Sequence, residues 1–255
     1  MIVTPIKTEI LHINDEFFAF LDKFVPKDLE NKVLVVTSKV LALSEGSVVK
    51  PSGKFEKPSD EVHEIAKKLV DFYTEPNSSK YNIMLTIIHN TLLMNGGIDS
   101  SNAQQHFVLL PKDPYKWATD IWNYLRKKND LKNFGVIVTD SKAFPLKWGS
   151  VGTALAFCGF KALHSRVGQE DLFGRKLEMT YVGVAEGIAI AAVLEMGEAA
   201  EAQPLCLVEN ISQIEFVDHP VTQEEIDALN IDIEDDAYAP ILLKADWKQF
   251  KKDVE

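Results

Sequence analysis

The sequence has few cysteines and no long apolar run. Its 255 residues include only two cysteines, Cys158 and Cys206, which form no C-x-x-C pair and no Cys/His metal spacing. Both lie in apolar surroundings, which indicates buried free thiols in a reducing compartment. No run reaches the roughly 18 apolar residues of a membrane span, and the N-terminus shows no signal-peptide pattern. We therefore expect no membrane association and a cytoplasmic location.

Positive charge is also scarce. Lysine and arginine total 27 against 38 aspartates and glutamates, so the formal net charge is −11. A protein that binds nucleic acid needs a positive surface to meet the phosphate backbone. The charge balance therefore predicts no nucleic-acid partner. With 46% hydrophobic residues, the chain can fill the core of one large domain or two smaller ones.

Several common catalytic and phosphate-binding motifs are missing. Gly53 and Lys54 lack the earlier glycine of a P-loop, and no G-x-G-x-x-G follows a predicted strand. There is no G-x-S-x-G elbow and no H-E-x-x-H pair. The six histidines are scattered, and residues such as His89 and His164 are more often structural than catalytic. These absences disfavour a P-loop, a Rossmann site, a serine hydrolase and a zinc protease.

Strand and helix patterns alternate along the chain, which predicts a mixed α/β fold. Predicted strands cover residues 2–6, 32–37, 48–50, 83–88, 91–94, 108–110, 135–139, 177–182 and 204–208, and a polar turn covers 75–80. Predicted helices cover residues 14–24, 60–73 and 114–128, a segment that ends at Gly197, and a segment that begins with a capping box at Thr222. Residues 151–163 fit either a strand or a tightly packed helix. No repeat or linker divides the chain, so any two-domain division is interleaved.

The most compact polar stretch covers residues 95–102, with the sequence NGGIDSSN. Its two glycines allow backbone conformations closed to other residues. Asp99 can ligate a hard cation, while Ser100, Ser101 and Asn102 can hold phosphate oxygens or cap a helix. A simple hairpin or helix-start turn explains the same spacing. A partner elsewhere in the chain is needed to decide between a turn and a binding site.

Two further oxygen-rich positions provide candidate partners. Asp140 and Ser141 follow the predicted strand 135–139, and Glu198 follows the helix that ends at Gly197. In alternating α/β proteins, ligands usually bind at the carboxyl ends of strands. Carboxylate and hydroxyl oxygens are the ligands that magnesium and manganese prefer. These clusters would suit a magnesium or manganese site that bridges nucleotide phosphates.

The order and spacing of several motifs resemble the coenzyme F420-0:L-glutamate ligase, or γ-glutamyl ligase, family. The resemblance covers most of the chain, to about residue 210, and its most specific segments are GIDSSN and DLFGR. The segments that carry it are LVVTSK at 34–39, SEG at 44–46, NGGIDSSN at 95–102, LPKDP at 110–114, VIVTDS at 136–141, residues 149–159, DLFGR at 171–175 and LEMG at 194–197.

This resemblance implies an intertwined homodimer with two interleaved α/β subdomains in a single family domain over residues 1–255, with an inner subdomain near 80–150. It implies that GTP or ATP binds with Mg²⁺ or Mn²⁺, and with K⁺ as an optional further ion. The implied metal ligands are Asp99, Asp140, Ser141 and Glu198, of which Asp99 and Asp140 also count as catalytic. The implied nucleotide contacts are Ser38, Lys39, Asn102, Gly197, Glu198 and the loop 197–203.

The implied chemistry is the activation of a carboxylate. The metal neutralises the triphosphate while the acceptor's carboxylate takes the γ-phosphoryl group. The α-amine of L-glutamate then attacks the acyl phosphate, and phosphate leaves as the amide forms. The expected partners are therefore small molecules, namely an acceptor carboxylate and L-glutamate.

Two departures from the family pattern keep alternatives open. Leu43 stands where relatives carry a nucleotide-contacting lysine, and Lys39 is the nearest replacement. Ala143 and Phe144 stand where relatives carry Gly-Arg, with Lys142 and Lys147 as the nearest cations, and lysine lacks the planar fork of arginine. The same chemistry on folate is therefore an alternative. A non-catalytic homologue that binds nucleotide or metal is another.

Overall fold

The computed structural model describes residues 1–76 and 80–250. The chain forms two compact units, each assembled from several segments. The first unit contains Met1–Ile10, Phe18–Thr37 and Asp113–Leu229, and the second contains Leu11–Phe17, Ser38–Lys112 and Asn230–Glu255. Part of the predicted polar turn 75–80 lies outside the described residues. No described helix is long and apolar enough to cross a lipid bilayer.

Helices and strands alternate, which confirms the mixed α/β class. The strands are β1 (Ile2–Ile6), β2 (Lys32–Thr37), β3 (Val48–Val49), β4 (Phe72–Tyr73), β5 (Leu85–Ile88), β6 (Thr91–Met94), β7 (Phe107–Val108), β8 (Phe134–Ala143), β9 (Ser150–Cys158), β10 (Leu163–Ser165), β11 (Tyr181–Gly183) and β12 (Leu205–Glu209). The helices are α1 (Phe17–Phe24), α2 (Ser38–Ser44), α3 (Pro58–Leu69), α4 (Pro114–Asn129), α5 (Val184–Met196), α6 (Gln223–Leu229) and α7 (Ala239–Leu242).

The first unit is built around a five-stranded sheet in the order β1-β12-β2-β8-β9. The neighbours β2 and β8 run parallel, and the other pairs are antiparallel. The buried strands are rich in valine and leucine, as expected for strands covered on both faces. Helix α5 packs on this sheet through Ile188, Ala189 and Ala192, which are at most 2% exposed. Burial of these apolar side chains against β9 and β12 contributes to the hydrophobic driving force of the unit.

The second unit combines helices α2 and α3 with two small sheets. One sheet pairs β3 with β7, and the other has the order β4-β5-β6. His89 and Asn90 both have positive φ, at 51° and 52°, as a two-residue hairpin turn between right-twisted strands requires. Glu45 accepts the N–H of Lys112 at 2.8 Å. This bond joins the SEG and LPKDP segments of the sequence.

Local signals predicted several elements well. Asp113 caps α4 by accepting the N–H of Lys116 at 2.8 Å, and Pro114 occupies the first turn. The capping box before α6 is also confirmed, because Thr222 and Glu225 exchange side-chain to backbone hydrogen bonds. Helix α5 ends before Gly197, whose φ of 83° suits glycine.

Other predictions need correction. Asn14 does not cap α1, because its φ is 65° and its N–H binds the carbonyl oxygen of Leu43, so the helix begins at Phe17. The helix predicted over 60–73 ends at Leu69, since Phe72 and Tyr73 pair with β5 instead. The strand predicted over 177–182 forms only at its end, where β11 covers Tyr181–Gly183, and most of strand β9 lies in the undecided segment 151–163. Helix α2 was not predicted.

Candidate functional site

The polar stretch 95–102 lies in the second unit. Asn95–Gly97 form a 3-10 turn directly after β6, and Gly96 and Gly97 both have a φ of 68°. A Cβ atom on Gly97 would lie 2.8 Å from the side chain of Leu110. Glycine therefore serves both the left-handed backbone and a close approach at this turn. The turn directs the chain into Asp99.

The backbone of Asp99 is held in place by a β-bridge. Its N–H binds the carbonyl oxygen of Val108 at 2.9 Å, and its own carbonyl oxygen accepts the N–H of Val108 at 2.8 Å. Val108 in turn pairs with Val48 in the β3–β7 sheet. The carboxylate therefore projects from a fixed point on the chain rather than from a loose loop.

Lys39 contacts this carboxylate directly. Its Nζ atom lies 2.6 Å from Oδ2 of Asp99 and donates a second hydrogen bond, of 3.1 Å, to the carbonyl oxygen of Ser101. Ser101 also binds Asp99, through its N–H at 2.6 Å and its hydroxyl at 3.1 Å. Burial alone would raise the pKa of the Asp99 carboxyl, but the hydrogen bonds from Lys39 and Ser101 outweigh it and hold this pKa below its usual range.

The remaining predicted residues of this unit lie on the same two segments. Ser38 and Lys39 are the first residues of α2, and Ser38 is buried. Asn102 follows Ser101, is exposed and has a φ of 49°. Leu43 is only 4% exposed and faces the core from α2. The structure therefore brings Lys39, Asp99 and Ser101 together, and it assigns Leu43 to packing.

Asp140 and Ser141 lie in the first unit, on β8. They were predicted to follow the end of this strand, but β8 continues to Ala143, because residues 140–143 pair with residues 150–153 of β9. Oδ1 of Asp140 accepts the N–H of Ser141 at 2.8 Å. Both residues are partly exposed. They lie in the part of the β8–β9 hairpin that is nearest to its turn, rather than on a loop after the strand.

A polar cluster next to these residues was missed by sequence reasoning. Thr153, opposite Asp140 on β9, is fully buried and donates a 2.9 Å hydrogen bond to Oε1 of Glu186. The same oxygen lies 3.5 Å from Nζ of Lys142. Glu186 is the acidic residue of the first turn of α5, and that position was the only sequence signal available.

Gly197 and Glu198 also belong to the first unit and begin the loop after α5. The N–H of Gly197 binds the carbonyl oxygen of Val193 at 3.0 Å. A Cβ atom on Gly197 would lie 2.5 Å from the carboxyl carbon of Glu201, whose Oε2 accepts the N–H of Ala199 at 2.8 Å. Glu198 itself is exposed. Glu201 therefore folds back over the loop and shapes its backbone.

The donor atoms suit a hard cation. Asp99 with the Ser101 hydroxyl, and Asp140 with its neighbour Ser141, offer carboxylate and hydroxyl oxygens, which Mg²⁺ and Mn²⁺ prefer to nitrogen or sulfur. Across residues 1–76 and 80–250, no group of three or more His, Cys, Asp or Glu side chains is arranged to hold a metal ion. The metal ligands therefore stay a prediction.

Comparison with known proteins assigns a family to the chain. The family model for F420-0:Gamma-glutamyl ligase matches residues 5–210. A coenzyme F420:L-glutamate ligase from Methanococcus maripaludis strain C6 is 31% identical over 228 residues, which cover 82% of this chain and 91% of that protein. The protein of the same name from Methanocaldococcus jannaschii is 32% identical over 190 residues, covering 70% and 75% of the two chains. That from Methanopyrus kandleri is 40% identical over 111 residues, covering 43% and 44%.

Proposed function

Because the chain belongs to the F420-0:gamma-glutamyl ligase family and is therefore an amide-bond-forming ligase, we propose that it joins L-glutamate to the carboxylate of coenzyme F420-0 or a close analogue. The reaction uses GTP or ATP and a divalent cation. The observation that carries this proposal is the contact between Lys39 and Asp99, at 2.6 Å. This contact joins an ammonium group that can bind phosphate with a carboxylate that can bind a metal ion. The two residues are 60 positions apart in the sequence.

Each unit contributes residues with a stated role. In the second unit, Lys39 binds a phosphate oxygen as a point charge, Ser38 and Asn102 contact the nucleotide, and Asp99 is a metal ligand. In the first unit, Asp140, Ser141 and Glu198 are metal ligands, and the loop 197–203 contacts the nucleotide. When bound, the divalent cation neutralises phosphate charge and makes the γ-phosphorus a better electrophile.

The reaction proceeds in two steps. An oxygen of the acceptor carboxylate attacks the γ-phosphorus, the bond to the β-γ bridging oxygen breaks, and the nucleoside diphosphate leaves with that electron pair. The α-amine of L-glutamate then attacks the carbonyl carbon of the acyl phosphate. The bond from this carbon to the phosphate oxygen breaks, the amine loses a proton, and phosphate leaves as the amide forms. Lys39 stays near the phosphate groups throughout, where its charge offsets theirs.

Folate is the second candidate acceptor. It also carries γ-linked glutamate tails, and the departure from the family pattern at Ala143 and Phe144 supports a changed acceptor. Phe144 is 44% exposed, and Nζ of Lys142 lies 6.0 Å from its ring centre. An aromatic ring with a neighbouring cation can contact a flat aromatic acceptor that carries a carboxylate.

The active form is a homodimer in this proposal. Support comes from the first unit, where Leu146, Trp148, Leu172 and Phe173 are each more than 90% exposed. Large apolar side chains at such exposure are typical of an interaction surface. Analytical ultracentrifugation of the wild type should give twice the chain mass, and Trp148→Ser combined with Leu172→Ser should shift it toward the monomer. A wild type that sediments as a monomer at all concentrations would contradict the dimer.

A ligation assay tests the function. The protein is incubated with Mg²⁺ or Mn²⁺, GTP or ATP, L-glutamate and either a deazaflavin or a folate acceptor, and product masses are read out. We expect one acceptor to gain a glutamyl unit. Asp140→Asn should abolish this gain, whereas Asp120→Asn, on the exposed face of α4, should retain it. Absence of product together with absence of metal-dependent nucleotide binding would instead favour a non-catalytic homologue.

A further inference from the structure

The side chains of Lys39 and Asp99 contact each other, and the backbone of each residue is held in place by its surroundings. Lys39 is the second residue of α2, and Asp99 is fixed by its bridge to Val108. Lys39 places its ammonium 2.6 Å from Oδ2 of Asp99 and 3.1 Å from the carbonyl oxygen of Ser101. The side chains are 28% and 41% exposed, so solvent and ligands reach both. The ammonium thus lies against an oxygen that the proposed function gives to a divalent cation.

We propose that Lys39 is an internal counter-cation that blocks metal binding at Asp99 until a nucleotide arrives. This inference rests on the proposed function and deepens it, because it makes metal binding at Asp99 conditional on nucleotide. The carboxylate and the ammonium neutralise each other, and a divalent cation that approached Oδ2 would meet a positive charge at hydrogen-bond distance. The like-charge repulsion opposes entry of the metal.

A nucleotide provides the alternative partner that the ammonium needs. Its phosphates are anionic, and a lysine ammonium binds phosphate as a point charge without a fixed geometry. Lys39 has a flexible four-carbon stem and can move to a phosphate oxygen, whereas Asp99 stays where its backbone bridge holds it. The departure of the ammonium removes the positive charge from Oδ2, which keeps only the hydroxyl of Ser101, and the phosphates then attract the metal. Nucleotide and metal therefore bind with positive coupling that runs through one lysine.

The exchange is compatible with a stable fold. Ion pairs with this degree of exposure contribute little net stability, because solvent screens them and ordering the side chains costs entropy. Asp99 also keeps its hydrogen bonds from the N–H and hydroxyl of Ser101 when Lys39 leaves. A purely structural ion pair would behave differently, since its removal would change the affinity for metal by the same factor with and without nucleotide.

Titration with Mn²⁺ alone tests the inference, with free Mn²⁺ measured by electron paramagnetic resonance. The full-length wild type is compared with Lys39→Met, Lys39→Arg and a matched control, Lys67→Met. Lys67 pairs with Glu64 at 2.9 Å on α3 of the same unit and has a side chain 19% exposed. We expect Lys39→Met to bind Mn²⁺ about tenfold more tightly than the wild type, which corresponds to about 1.4 kcal/mol. Lys39→Arg and Lys67→Met should match the wild type.

Repeating the titration with a non-hydrolysable GTP or ATP analogue completes the test. The analogue should raise the affinity of the wild type for Mn²⁺ strongly and that of Lys39→Met much less. Mn²⁺ binding by Lys39→Met that is equal to or weaker than that of the wild type would overturn the inference. If Lys39→Met does not fold, Lys39→Gln replaces it in the titration, and the same result would overturn the inference. Mn²⁺-dependent ligation by the wild type alongside unchanged Mn²⁺ binding by the variants would overturn only the inference. No Mn²⁺ binding by the wild type even with the analogue would overturn the proposed metal dependence as well.

Discussion

The hydroxyl of Thr153 donates a 2.9 Å hydrogen bond to Oε1 of Glu186. Thr153 is fully buried on β9, and Glu186 lies in the first turn of α5. The bond therefore fixes the start of this helix to the sheet beside Asp140. It also holds the carboxylate that lies 3.5 Å from Lys142. A buried polar side chain on one element thus sets the position of a charged one on another.

Replacing Thr153 by valine removes this bond while preserving the shape of the side chain. We expect the free energy of unfolding to fall by about 1–3 kcal/mol, because Glu186 loses a buried hydrogen-bond donor. Urea denaturation followed by circular dichroism measures the change. The control is Thr180→Val at an exposed position, which should stay within about 0.5 kcal/mol of the wild type. Equal stability of both variants would mean that the Thr153 hydroxyl contributes nothing.

Gly152, on β9 where it faces α5, and Gly187, within α5, should respond to replacement by alanine in opposite ways. A Cβ atom on Gly152 would lie 2.2 Å from the carbonyl oxygen of Ala189, whereas one on Gly187 would meet nothing within 4 Å. Gly152→Ala must push β9 away from the helix and should destabilise the protein by about 3 kcal/mol. Gly187→Ala should stabilise it by about 0.5–1 kcal/mol, because alanine favours the helix. Thermal unfolding of both variants checks the signs, and a neutral Gly152→Ala would contradict the close packing.

The two cysteines should resist thiol reagents in the native protein. Burial raises the pKa of Cys158 to about 11 and that of Cys206 to about 12. At pH 8 a thiol with a pKa of about 11 is only about 0.1% thiolate, against roughly a quarter for an ordinary cysteine. Reaction with a chromogenic disulfide should therefore be very slow when folded, rise as the pH approaches 11, and be fast for both cysteines in denaturant. Rapid labelling of the native protein at pH 8 would show that a thiol is accessible.

The elements that the sequence predicts well are those set by local chemistry. Asp113 and Pro114 begin α4, and Gly197 ends α5. Thr222 and Glu225 form the capping box before α6. Each of these signals acts within one helical turn. Residues 32–37 form a buried strand, as their valines and leucine predict. These interactions lie within a few residues of sequence, so the pattern alone contains them.

The parts that failed depend on distant partners. Strand β8 continues past Asp140 because Thr153 and its neighbours on β9 pair with it. The segment 151–163 contains small residues such as Gly152 and Ala154, which give no clear hydrophobic period, and α5 packs against them. Likewise, nothing in the sequence says that Lys39 contacts Asp99, or Thr153 contacts Glu186. The residue types of the candidate site were predictable from oxygen chemistry and from a family resemblance, but these contacts were not.

The most direct test of the account follows an oxygen isotope through the reaction. The acceptor carboxylate is labelled with ¹⁸O and incubated with nucleotide, Mg²⁺, L-glutamate and the protein, and both the amide product and the released phosphate are analysed by mass spectrometry. Activation as an acyl phosphate predicts one ¹⁸O atom in each phosphate released per glutamyl unit added. Amide product with unlabelled phosphate would contradict the proposed mechanism, and the absence of any glutamylated product would contradict the ligase itself.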